Sequence, residues 1–241
     1  MPPDLRIHLR AKPPTLNINK KILKELINGP DSITFGQENK KFFLVSKQRP
    51  ELKLGFIDSE KKEGCLYEIS KGQPGILFTD FIFLSLYVFL NITNGFLIHA
   101  CGIIKDGKGY IFAGPSGNGK STVARLSRNL AVLSDDRLCI RAKRGSYYMY
   151  GVPWGYATIN KSVEIKKIFF LNKAKQTTFK RLSSSQAVAE AFCNLSIGLY
   201  KQWNIKRMLT AIAKMVAKIP CYEMRFSLSE PFWERIGDLE N

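Results

Sequence analysis

The clearest chemistry in this 241-residue chain lies in nine consecutive residues, Gly114, Pro115, Ser116, Gly117, Asn118, Gly119, Lys120, Ser121 and Thr122. The first eight match GxxxxGK[ST], the Walker A or P-loop pattern, between a predicted strand (Tyr110 to Gly114) and a predicted helix (Ser121 to Leu130). Each residue type answers a need of a bound polyphosphate. Gly117 and Gly119 allow the tight turn that brings backbone N–H groups to phosphate oxygens, and the following helix offers its positive end. Lys120 reaches the β and γ phosphates, and Ser121 places a hydroxyl where Mg2+ would sit, the metal being held mainly by phosphates, waters and a carboxylate. ATP with Mg2+ is the expected cofactor pair.

Two further groups converge on this segment. The run AVLSDD is predicted as a strand that follows the loop's helix and ends in Asp135 and Asp136. That order puts two carboxylates at the mouth of the phosphate site after one helical crossover. A plain Asx-type turn before Arg137 is the alternative. His99 lies on the strand Phe96 to Ile104, which the turn KDGKG joins to the loop-bearing strand in a hairpin. Its side chain shares a face with Cys101. A strand histidine has an ordinary structural reading, but adjacency to the phosphate strand favours a functional one. His99 and Cys101 alone do not make a metal site.

This ordered set resembles the HPr kinase-like family of bacterial serine kinases, whose fold is related to ATP-dependent phosphoenolpyruvate carboxykinase. The resemblance covers about residues 95–160: a histidine on a strand, a hairpin into the loop, one helix, an Asp pair and another hairpin. It implies phosphoryl transfer from ATP to a serine-type hydroxyl, with Asp135 as base, Asp136 and Ser121 facing Mg2+, and Lys120 and His99 completing the catalytic set. Where HPr kinase/phosphorylases carry a Glu-containing, glycine-rich signature, this chain has YGVPWG (Tyr150 to Gly155). It is therefore similar to the HPr-kinase-related proteins with a PW motif, including those of peptide modification clusters such as lasso peptides, and no phosphorylase activity is implied. Trp154 is either core packing or a wall of the substrate site.

The elements around these residues predict an α/β fold, a P-loop mixed sheet of the HPr kinase/phosphoenolpyruvate carboxykinase-like type with a small β-rich N-terminal region. Residues 1–75 read as short strands, among them ITFGQ, KKFFLVS and LKLGFID, with a helix around Lys20 to Asn28; residues 76–241 form the kinase core with a basic C-terminal helical part. The apolar stretch Ile76 to Leu90 falls short of the roughly 20 residues a bilayer span needs and carries Asp80, so it is expected as a buried helix with no membrane insertion. Five scattered cysteines without CxxC spacing point to no disulfide framework or zinc site, and with no secretion signal at the N-terminus the cytoplasm is the expected compartment.

The formal net charge is +17, and residues 141–220 hold 15 basic against 2 acidic side chains, an excess of +13. Part of it falls on a predicted amphipathic helix from Ile205 to Lys218, whose Lys206, Arg207, Lys214 and Lys218 face solvent. A solvated face is the plain reading; an acidic peptide or protein acceptor is the functional one. No aromatic-interleaved basic run favours nucleic acid. A homo-oligomer is compatible with the sequence without being named by it. A transporter-type ATPase is rejected because LSSSQ (Leu182 to Gln186) lacks the glycines of that signature and no apolar strand ending in Asp-Glu follows. A nucleotide-dependent binding module that holds an acidic peptide or polyanion without transferring phosphate is the competing class.

Overall fold

The computed structural model describes residues 6–10, 33–46, 53–67, 76–152, 155, 159–196, 205–227 and 232–239. The expected helix around Lys20 to Asn28 and Trp154 lie outside these residues. The chain divides into two compact units, 1–93 and 94–241.

In the first unit, β1 (Arg6–Arg10), β2 (Ile33–Glu38), β3 (Lys41–Ser46), β4 (Lys53–Asp58) and β5 (Glu63–Tyr67) form a sheet in the order β1-β5-β4-β3-β2. All neighbours are antiparallel except β1, which runs parallel to β5. The apolar helix α1 (Ile76–Ile92) packs on β3, β4 and β5. Its Phe81, fully buried, lies against Gly55 and Gly64. The expectation placed this helix with the core of residues 76–241; in the contact-based units it goes with residues 1–93, its apolar surface being used by the small sheet. No helix among the described residues is long and apolar enough to cross a membrane.

The second unit is built on a mixed sheet of eight strands: β6 (Phe96–Lys105), β7 (Lys108–Ala113), β8 (Ala131–Ser134), β9 (Arg137–Lys143), β10 (Ser146–Gly151), β11 (Ser162–Lys173), β12 (Thr178–Arg181) and β13 (Cys221–Phe226). The order is β10-β9-β6-β7-β11-β13-β12, with β8 also on β6. Because β10 pairs β11 as well as β9, five strands close on themselves. Two hairpins in this ring turn on two residues at positive φ, Asp106-Gly107 and Arg144-Gly145, the backbone whose twist matches that of the flanking strands. Met149, fully buried, packs over Gly102 and Gly109.

The parallel strands β7, β11 and β13 carry the other core. Phe112 stacks on Phe169 at 5.2 Å and Phe226 meets Phe232 edge-on at 5.4 Å. Val123 and Ala124 of α2 (Lys120–Leu126) and Ile236 of α5 (Phe232–Asp238) close the cluster. Each buried phenylalanine contributes about 1.5–3 kcal/mol over leaving it exposed. Trp233 Nε1 donates to the buried Ser127 Oγ at 2.8 Å, pinning α5 to the end of the loop's helix. Helix α3 (Ser184–Cys193) begins at Ser183, whose hydroxyl accepts from Gln186 N while the Gln186 side chain accepts from Ser183 N, a capping box. Helix α4 (Ile205–Val216) buries Met208, Ala211, Ile212, Met215 and Val216.

Candidate functional site

Strand β6 organises the site. Ala100 pairs with Ala113, the last residue of β7, and His99 pairs with Arg137, the first of β9. Chain leaving β7 therefore enters the segment Gly114–Gly119 on one side of His99, while Asp135 and Asp136 lie on the other. The Asp pair, expected at the end of a strand, lies just past β8, in the two-residue break before β9. Gly102 pairs with Ser134, and Ala100 N donates to Asp136 O at 3.1 Å, so β8 and β9 are one line along the same edge of β6, broken only at the two aspartates. The turn is made by Ser134, whose Oγ accepts from Asp136 N and Arg137 N at 3.4 Å.

The glycine-rich segment is a loop between β7 and α2. Gly117 has φ 85° and Gly119, the N-cap of α2, φ 101°, a region open to glycine and costly for other residues. Asn118 Nδ2 donates to Leu171 O at 2.8 Å and fastens the loop to β11. Lys120 Nζ donates to Gly114 O at 2.6 Å and Pro115 O at 2.9 Å, curling the side chain back into the loop. Burial lowers its pKa, and Asp136 opposes that shift.

A cavity of about 580 Å3 is lined by His99, Ser116, Gly117, Gly119, Lys120, Ser121, Thr122, Asp135, Asp136 and Gly155. Of the expected site residues, Gly114, Pro115 and Asn118 do not line it; they shape the loop. Asp136 is held from two sides, by Arg137 Nη1 at 2.8 Å from Oδ2 and by His99 Nε2 at 3.4 Å from Oδ1. Arg137 Nε also donates to Ser196 Oγ at 3.1 Å. His99 N donates to Asn194 O at 2.8 Å, so the chain leaving α3 takes the edge of β6 that β7 vacates. Burial lowers the His99 pKa first, then the Lys120 charge and Arg137, against the pull of Asp136. Desolvation therefore favours the neutral form of His99. Cys101, buried, has its thiol pKa pushed up by burial and then by Asp135. All five cysteines are free.

Three participants escaped sequence reasoning. Arg137 follows the Asp pair and could have been suspected. Ser196 carried no signal, being 59 residues away. Gly155, from the VPWG run, has φ 111°, and a Cβ on it would collide with Asp135 Oδ1.

The chain is similar in structure to the Hpr(Ser) kinase/phosphatase from Coxiella burnetii, at 12% identity and a TM-score of 0.34, over 59% of this chain and 87% of that one. Comparison with curated proteins returns no match. A family model, SynChlorMet cassette protein ScmC, matches residues 74–239, which include the loop, both aspartates, His99 and Gly155. Spanning well over half of the sequence, that match identifies the chain as a member of the SynChlorMet cassette protein ScmC family.

Proposed function

We propose that this protein is an ATP-dependent kinase that transfers a phosphoryl group to a serine-type hydroxyl of a peptide or protein. One observation carries the reading: a glycine-rich loop with a lysine and hydroxyls meets two aspartates and a histidine around one cavity. Polyphosphate binding needs the first group and hydroxyl activation the second. The resemblance of residues 95–160 to the HPr kinase-like family supports it.

The residues also fit Mg2+. Ser121 and the aspartates offer hard oxygen donors, and magnesium at nucleotide sites takes one or two carboxylates together with phosphates and waters. Among the described residues no group of three or more His, Cys, Asp or Glu side chains could form a dedicated cage. When bound, the ion would neutralise charge on the phosphate oxygens. In this reading the loop N–H groups and Lys120 hold the phosphates. Asp136, its oxygens engaged by Arg137 and His99, faces the metal beside Ser121, and Asp135 takes the proton of the acceptor hydroxyl. The acceptor is acidic, from the +13 excess over residues 141–220. The free cysteines suit a reducing cytoplasm.

The test is incubation with γ-labelled ATP, Mg2+ and candidate acceptor peptides, read as label on serine. Lys120→Ala should lower transfer by about 10²-fold or more, the scale of losing one preorganised charge at such a site. Occupancy by ATP without transfer to any acceptor would instead assign the binding module. Transfer by Lys120→Ala at the wild-type rate would remove the loop from the mechanism.

A further inference from the structure

The end of α4 touches the tip of the β9–β10 hairpin, and four cations lie on the two elements near that contact. Lys218 Nζ donates to Gly145 O at 2.8 Å, bringing the close of the helix onto the hairpin tip. Lys143 and Arg144 precede that glycine, and Lys214 lies one helical turn before Lys218, on the same side. All four are exposed. Lys143 sits over the Tyr148 ring at 5.9 Å, and among the described residues none of the four is ion-paired. Arg144 projects from a tight turn at φ 51°, a region where arginine is uncommon. Like charges gathered this way repel, and an anion relieves the repulsion.

The cluster differs from the surface expected on the helix alone. Arg207 is turned to Asn94, its Nε donating to Oδ1 at 3.0 Å, whereas Lys214 lies one turn before Lys218, whose ammonium meets the hairpin. It also has a defined relation to the cavity. Strand β9 runs from Arg137, which holds Asp136, to Lys143, with Arg137, Arg141 and Lys143 on one face. Six residues at about 3.4 Å each make roughly 20 Å, the span of about six residues of extended peptide.

We propose that Lys143, Arg144, Lys214 and Lys218 form the docking surface for an acidic segment of the acceptor, about six residues from the hydroxyl that enters the cavity. The hydroxyl's fate rests on the kinase reading above; the docking does not. A hairpin tip and one helical turn match a short acidic stretch of peptide, not the phosphate track of a nucleic acid.

The experiment uses the full chain without nucleotide and a fluorescein-labelled hexaglutamate peptide, followed by anisotropy at low salt. The triple change Lys143→Glu, Arg144→Glu, Lys214→Glu should weaken binding at least tenfold; Lys218 is kept because its bond to Gly145 fastens the helix. Reversing Lys41, Lys61 and Lys108, exposed elsewhere, should leave the affinity within about twofold. Equal losses in the two triples, or none in the first, would overturn the proposal. So would a single-stranded oligonucleotide of equal charge that binds more tightly than the peptide and loses affinity in the same triple. Since ATP is absent, a protein that transfers no phosphate can still pass this test, and a kinase can fail it.

Discussion

Asp135 and Asp136 are neighbours in sequence with different surroundings. Asp136 is gripped by Arg137 and His99, so a change of charge there disturbs a network that also orients the histidine. Asp135 abuts Gly155 and acts electrostatically on buried Cys101. In the proposed mechanism Asp135 is the base, a carboxylate that accepts the proton as the P–O bond forms, and Asp136 faces the metal. Asp135→Asn keeps the shape but removes the basicity; it should retain Mg-ATP affinity, measured by calorimetry, and lose transfer by about 10² or more. Asp136→Asn should slow transfer and also raise the Mg2+ concentration needed for half-maximal rate. Wild-type transfer by Asp135→Asn would place the base elsewhere. The types of these residues were legible in the sequence, but their different surroundings were not, because Arg137, which holds Asp136, also reaches Ser196, 59 residues away.

Among elements, β6 and the segment after β10 decide the geometry. β6 gives one edge to β8 and β9 and divides the other between β7 and the chain leaving α3, so a single strand holds loop, histidine and carboxylates in register. The capping box that starts α3, worth about 1 kcal/mol, helps set where Asn194 meets His99 N. The segment after Gly151 is fastened where it returns, Ile159 N donating to Leu133 O at 3.1 Å, and Gly155 closes on Asp135 between these points. Gly155→Ala adds a methyl group where Asp135 Oδ1 stands, at a φ alanine rarely adopts. Displacing a reacting group by about 1 Å can cost 10²-fold. The variant should therefore lose kcat tenfold or more while binding Mg-ATP nearly as wild type does, a split read from steady-state rates and calorimetry. Unchanged kcat would show that Asp135 does not depend on this contact. The hairpins and the loop were readable from Gly and Asp at the turns; the broken strand at the Asp pair was not, since AVLSDD and RLCIRAK look like two strands until β6 lines them up.

For the whole molecule, the balance of burial and charge makes pH a probe. The folded protein holds His99 below its ordinary pKa of about 6.5, so the native state binds fewer protons than the unfolded one in that range. The contribution of His99 to stability is complete above about pH 6.5 and is lost as pH falls from there through the lower native pKa. The stability advantage of wild type over His99→Gln, from urea midpoints between pH 8 and 5, should therefore shrink on acidification; a constant difference would mean that His99 is not desolvated. The sequence by itself determined what depends on a few adjacent residues: the glycine turn and lysine of the loop, the two-residue hairpins and the local excess of positive charge. Only the tertiary structure decided how strands tens of residues apart share β6, why Gly155 must lack a side chain beside Asp135, and where hairpin and helix lysines gather into one surface. Turn and cap preferences act within a few bonds, whereas those juxtapositions depend on strand register and close packing across the whole second unit, which no local pattern encodes.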